Sequence, residues 1–142
     1  MTFESNSQTE TEDFAAGLAA VAKTGEVYCL IGDLGAGKTA FARGFARGLG
    51  INTHITSPTF AIVNEYKGRL PLYHFDVYRI NNPAEMEDTG YEDYFYGDGV
   101  ALVEWADLIQ DLWPEGAAIV RLSRDEARGD NFRRIFVERG QK

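Results

Sequence analysis

The octapeptide Gly32-Asp33-Leu34-Gly35-Ala36-Gly37-Lys38-Thr39 constrains this chain more than any other feature. It satisfies every fixed position of the G-x-x-x-x-G-K-[ST] phosphate loop. An apolar run, residues 27–31, leads in; Phe41, Phe45 and Leu49 then recur at every fourth residue, with Ala42 and Ala46 beside them. Strand, glycine-rich turn and helix form the context that gives the pattern its meaning. The glycines let several N–H groups converge on phosphate oxygens, and the helix start adds its positive end. Lys38 supplies charge for the β- and γ-phosphates, and Thr39 a hydroxyl for Mg²⁺. The expected nucleotide cradle is Asp33, Leu34, Gly35, Ala36, Gly37, Lys38, Thr39 and Ala40. Arg43 and Arg47 fall off the apolar stripe and read as solvated helix charges, and Gly50 as a C-terminal cap.

A chain of 142 residues is expected to form one domain, residues 1–142, with residues 1–8 loosely ordered. No apolar run is long enough to span a bilayer, and the polar, acidic N-terminus does not read as a signal peptide. The single cysteine, Cys29, lies in the expected core strand and reads as a small buried hydrophobe. These features fit a cytoplasmic protein. The net charge of −8 argues against unaided binding of nucleic acid over a broad surface. No Lys or Arg occurs between Arg79 and Arg121, a stretch rich in Asp and Glu. It reads as a solvated acidic face, or as a docking surface for a basic partner.

Thr9 with Glu12 makes a capping-box pattern, followed by a helix with Phe14, Leu18 and Val21 on one face. Residues 60–66 and 70–76 flank Lys67-Gly68-Arg69, a hairpin with a three-residue turn. Pro83 opens a short helix, residues 100–103 form a buried strand, and residues 105–113 form a second short helix ended by Pro114. Residues 117–122 and 133–137 form two closing strands around an arginine-rich loop. The expected fold is α/β: a three-layer P-loop NTPase-like fold with a mixed, partly parallel central sheet and a β-hairpin.

Two acids suit the phosphate loop. Asp76 and Glu104 each follow an apolar strand, at the carboxyl end where α/β sheets bind ligands. Mg²⁺ takes one or two carboxylates, often through water. Thr56 and Thr59 lie in a connection where a threonine could sense the γ-phosphate as switch loops do. His74 reads as a packed strand residue near the site and His54 as a loop residue. Neither a zinc pattern nor a Ser-His-Asp set stands out.

The phosphate loop, Ser57-Pro58-Thr59-Phe60, His74-Phe75-Asp76-Val77-Tyr78-Arg79 and Val103-Glu104-Trp105 together resemble the bacterial TsaE ATPases, in order and approximate spacing. The resemblance runs from about Thr9 to Val137. It implies a small Mg²⁺-dependent ATPase needed for threonylcarbamoyladenosine modification of tRNA next to the anticodon. Such a protein works in a complex with TsaD and TsaB, does not transfer the group itself, and meets tRNA only through that complex. By matching position, the resemblance makes Lys38, Asp76 and Glu104 the catalytic set, Thr39 and Glu104 the Mg²⁺ ligands, and Trp105 the associated aromatic. Residues 56–59, including Thr56 and Thr59, become the switch-like loop. Ala40 departs from the pattern, since many members carry there a second threonine suited to the α-phosphate.

Hydrolysis is expected to be slow alone, because no arginine is clearly placed as a finger. Arg79, Arg121, Arg124 and Arg128 are the candidates, and the loop around Arg124 and Arg128 is a candidate tRNA contact. Spacing leaves open whether Asp76 or Glu104 orients the water. A small-molecule P-loop kinase is the rival reading, though the chain is short for an acceptor pocket and lid. A GTPase lacks support, since there is no Asn-Lys-x-Asp motif.

Overall fold

The computed structural model describes residues 1–33, 35–56, 58 and 62–139. Seven strands form one sheet: β1 (Thr2–Ser5), β2 (Val27–Ile31), β3 (Val63–Tyr66), β4 (Leu72–Asp76), β5 (Val100–Glu104), β6 (Ala118–Arg124) and β7 (Arg133–Arg139). Their spatial order is β1-β7-β6-β2-β5-β4-β3. The middle is parallel, β6 with β2, β2 with β5 and β5 with β4. Both margins are antiparallel, the β3–β4 hairpin on one side and β6–β7–β1 on the other. The mixed sheet expected from sequence is therefore present.

Alternation along the strands splits the core in two. Tyr28, Leu30, Leu72, Leu102 and Val120 face helices α1 (Gln8–Ala20) and α2 (Lys38–Gly48). Cys29, Phe75, Ala101 and Val103 face the opposite layer. That layer holds α3 (Tyr91–Phe95) and the 3₁₀ segments Pro83–Thr89 and Ala106–Leu112. Val100 to Glu104 are all buried, as befits a strand covered on both faces.

Helices α1 and α2 pack closely because their facing residues are small. The buried stripe of α1 is Thr11, Ala15 and Ala19. A Cβ on Gly44 of α2 would lie 2.1 Å from the Glu12 carbonyl oxygen, so only glycine fits. The sequence reading misplaces this face: Phe14 and Leu18 are partly buried, but Val21 is exposed. Glycine on the partner moves the contact to the alanine stripe.

The helix also starts earlier than its sequence suggests. Ser7 is the N-cap, accepting from the Glu10 amide at 3.1 Å, and Glu10 accepts from the Asn6 amide at 3.1 Å. Thr11 instead turns inward to share a 2.7 Å hydrogen bond with Ser5. The N-terminus forms an edge strand against β7, where the sequence reading leaves residues 1–8 loose. β7 leaves an unpaired edge in that reading, and β1 fills it.

The hairpin pairs Tyr66 with Leu72, so residues 67–71 form its connection, longer than the three-residue turn expected. The cause is tertiary. Arg69 donates to the Ala19 and Ala22 carbonyls at 2.8 and 3.1 Å, and its amide to the Leu49 carbonyl at 2.6 Å. The turn is thus drawn onto the ends of both helices. No described helix is long and apolar enough to cross a membrane.

Candidate functional site

The phosphate loop links β2 to α2. Gly37 caps the helix with φ of 101°, a left-handed geometry that a side chain would strain. Asp33, Gly35, Ala36, Gly37, Lys38, Thr39 and Ala40 lie in the described turn and first helical turn, whereas Leu34 lies outside the described residues. Ala40 offers no hydroxyl to the cavity it lines.

Lys38 is 7% exposed. Its ammonium donates to the Gly32 carbonyl and sits 3.3 Å from the centroid of the Trp105 ring. Burial lowers its pKa, while Glu104, Asp107, Asp76 and Asp33 pull the other way. The lysine is thus held among acids and an aromatic face, without a carboxylate in ion-pair contact among the described residues.

Asp76 and Glu104 are Cα partners at the ends of adjacent parallel strands, so the two acids arrive side by side. Glu104 is 4% and His74 2% exposed, and His74 Nε2 lies 2.6 Å from Glu104 Oε2. His74 Nδ1 is buried without a partner among the described residues. Asp76 accepts from the Tyr78 amide at 3.0 Å. Burial raises the Asp76 pKa, opposed by the Tyr78 hydrogen bond, raised further by Glu104, and lowered by His74 and Lys38.

Trp105 directly follows Glu104 and has φ of 60°, the sole positive φ among described non-glycine residues. That kink turns its ring onto Lys38, and Tyr78 packs on it with centroids 4.7 Å apart. Backbone strain of this kind persists where surrounding structure holds it, often at ligand sites.

A cavity of about 440 Å³ runs over the phosphate loop, lined by Gly35, Lys38, Thr39, Asp76, Glu104 and Trp105. Gln8, Thr11, Asn131 and Arg133 form its outer wall. A second cavity, about 210 Å³, also reaches Thr39 and Glu104, and is bounded by Arg43, His54, Thr56 and His74. Thr56 is tied to β3: its amide and carbonyl both meet the Tyr66 hydroxyl, at 3.2 and 3.3 Å. Thr59, the other switch candidate, lies outside the described residues.

The structure thus brings together Lys38, Thr39, Asp76, Glu104 and Trp105, with Thr56 in the adjoining cavity. The sequence reading missed Arg43 and Arg133. Arg133 is the Cα partner of Arg124, and the two flank the phosphate loop near Gly37 and Gly35. Arg133 Nε is buried without a partner among the described residues, and burial together with Arg124 lowers the Arg133 pKa. No motif marks Arg133, and its place opposite Arg124 is set by the β6–β7 register, which the sequence does not show. Arg43 lies four residues beyond Thr39, on the same helix face, but spacing alone does not separate it from a solvated helix charge.

Mg²⁺ fits these donors. Thr39 and Glu104 supply oxygen, and among the described residues no group of three or more His, Cys, Asp or Glu forms a self-contained metal cage. A hard cation with so few protein ligands takes the rest from phosphate and water.

The family model described as "Threonylcarbamoyl adenosine biosynthesis protein TsaE" matches residues 5–135. The chain belongs to the TsaE family. A tRNA threonylcarbamoyladenosine biosynthesis protein TsaE from Bacillus subtilis is 51% identical over 127 residues, covering 89% of this chain and 77% of the relative. The Treponema pallidum TsaE is 40% identical over 118 residues, covering 83% and 87% respectively. The crystal structure of YdiB from Bacillus subtilis superposes with a TM-score of 0.80 at 42% identity, spanning all of this chain and 86% of that one. The TsaE resemblance read from the phosphate loop, Ser57-Pro58-Thr59-Phe60, the His74 strand and Glu104-Trp105 therefore holds across the domain.

Proposed function

We propose that this TsaE-family protein is a Mg²⁺-dependent ATPase that supports threonylcarbamoylation of tRNA next to the anticodon. It works within a complex with TsaD and TsaB, and tRNA reaches it through that complex. The observation that carries the reading is one convergence. The phosphate-loop lysine and threonine, at the start of α2, face two acids side by side at the ends of β4 and β5. An ATPase needs little else: a cradle for phosphate, a metal to neutralise charge, and an acid to align water.

In this reading Lys38 leaves Trp105 and the Gly32 carbonyl for the phosphates. The loop amides from Asp33 to Ala40 hold the oxygens. Thr39 and Glu104 hold Mg²⁺, which screens charge on the β- and γ-phosphates when bound. His74 fixes the Glu104 carboxylate, so the ligand is oriented before metal arrives. Asp76, held by the Tyr78 amide, orients the attacking water or the metal's water shell. Thr56 anchors the segment that senses the γ-phosphate. Gln8, Thr11, Asn131 and Arg133 complete the lining of the same cavity.

The test is multiple-turnover threonylcarbamoylation of tRNA by TsaD and TsaB, with and without this protein, following ATP hydrolysis in the same tubes. Wild type should sustain turnover, and Lys38→Ala should not. Glu104→Ala should abolish Mg²⁺-dependent hydrolysis. Product formation indifferent to the protein would refute the role and return attention to phosphate transfer onto a small acceptor.

A further inference from the structure

Among the described residues, the arginines offered by sequence as charge-compensating groups line neither cavity over Thr39 and Glu104. Arg128 pairs with Glu4 at 3.3 Å and stacks on Phe132, and Arg124 stands by Gly35 on the outer side of the loop. Arg121 lines neither cavity over Thr39 and Glu104, and the same is true of Arg79.

Arg43 is placed differently. It lines both cavities, and both contain Thr39 and Glu104. The geometry of α2 explains this. Residues four apart share a helix face, so Arg43 stands one turn beyond Thr39, about 6 Å along the axis. Its apolar neighbours Phe41, Ala42 and Phe45 are buried, which leaves Arg43 at the solvent edge of that face. One turn further on, Arg47 is bound to Asp13 at 2.6 Å and lies 4.0 Å from Glu12. Arg43 has no ion pair among the described residues, although acids line the cavity beside it. A cation left unpaired there is available for an anion that arrives between Thr39 and Thr56.

We propose that Arg43 is a triphosphate-contacting residue that supplies, from within the same chain, the cation over the γ-phosphate during hydrolysis. The inference rests on the nucleotide-binding reading above and adds the group that reading lacks. In the reaction, water oxygen bonds to the γ-phosphorus as the bond to the β–γ bridging oxygen breaks. ADP leaves with the electron pair, and the water proton ends on phosphate or solvent. Arg43 gives and takes no proton; its fixed charge offsets the charge spread over the γ-phosphate oxygens. Because it approaches from the Thr56 side, it discriminates the triphosphate from the diphosphate. Lys38, at the phosphate-loop turn, serves both.

The experiment compares full-length wild type, Arg43→Gln, Arg43→Lys and Lys38→Ala. Calorimetry with Mg²⁺ measures affinity for ADP, for the β,γ-imido analogue of ATP, and for ADP with aluminium fluoride. Arg43→Gln should weaken the analogue by at least about tenfold while ADP changes by less than about twofold. It should also abolish the aluminium fluoride complex and slow hydrolysis by about 100-fold or more, as removal of an arginine finger does. Arg43→Lys should recover part of each. Arg43 is exposed, so thermal unfolding of these variants should match wild type. An unchanged ratio of analogue to ADP affinity in Arg43→Gln overturns the proposal, and so does equal weakening of both. If Lys38→Ala instead binds as wild type does, or wild type binds no nucleotide, the underlying phosphate-loop reading falls and this proposal falls with it.

Discussion

Replacing His74 by Phe keeps the volume of the ring and removes the hydrogen bond that holds Glu104. Nε2 and Oε2 are 2.6 Å apart, and the two residues are 2% and 4% exposed, so water has no route to the vacated place. Glu104 Oε2 is then left buried without its hydrogen-bond partner. Losing a hydrogen bond to a charged group costs about 1.5–3 kcal/mol. Lys38 lies close enough for its charge to act on Glu104 and offsets part of the loss. The expected destabilisation is therefore about 2–3 kcal/mol, a sizeable share of the 5–15 kcal/mol typical of a domain. On a chain of this length it corresponds to a fall in Tm of roughly 6–12 °C.

Guanidinium unfolding without nucleotide or Mg²⁺, followed by circular dichroism, measures the change. His74→Gln, whose amide can donate in place of Nε2, should recover half of it or more. A double-mutant cycle with Glu104→Gln should give a coupling of at least about 1.5 kcal/mol. A His74→Phe protein within about 0.5 kcal/mol of wild type, or a coupling near zero, would refute the argument that this contact holds the acid.

Three further outcomes are expected. Gly44→Ala places a Cβ 2.1 Å from the Glu12 carbonyl oxygen and forces α1 outward, lowering stability by about 3 kcal/mol or more in thermal unfolding. Asp76→Asn keeps the acceptor for the Tyr78 amide and removes a carboxylate whose pKa the fold raises. A raised carboxyl pKa favours the protonated form, so the contribution of Asp76 is best at acid pH and is lost as pH rises through the raised value. The asparagine variant should accordingly be the more stable at pH 7, with the gap closing below the ordinary carboxylate range; an Asp76→Asn protein less stable at pH 7 would contradict this. Cys29 is wholly buried and its pKa is pushed up to about 12, so a thiol reagent should label it only as the protein unfolds, and fast labelling of folded protein would show that β2 opens.

The phosphate loop, its strand and its helix were legible because their chemistry is local. Glycine spacing, the apolar run and the i, i+4 stripe all lie within residues 27–49 of the chain. Asp76 and Glu104 were legible for a related reason, each ending an apolar strand. That they stand side by side depends on β4 pairing with β5, a long-range fact that no window along the chain contains. The start of α1 was misread because Ser7–Glu10 and Thr9–Glu12 offer overlapping capping patterns, and the choice is made by Ser5 drawing Thr11 inward. The buried face of α1 was misread because glycines on another helix decide which of its faces can approach. Arg43 was set aside as a solvated charge, since an exposed arginine on a helix is solvated in most proteins. Two tertiary facts distinguish it from Arg47: it lines the cavities beside Glu104, and Arg47 is paired with Asp13.

The edge strand β1 touches the sheet through β7 alone, so the first and seventh strands lie side by side. Gln8 and Thr11, which follow β1, and Arg133, which begins β7, share one wall of the larger cavity. During synthesis the phosphate loop and both acids emerge long before that wall can close. Contacts between distant residues carry the largest loop-closure cost and form late. A nascent chain halted before β7 therefore holds Lys38, Thr39, Asp76 and Glu104 and still lacks the wall that Arg133 completes.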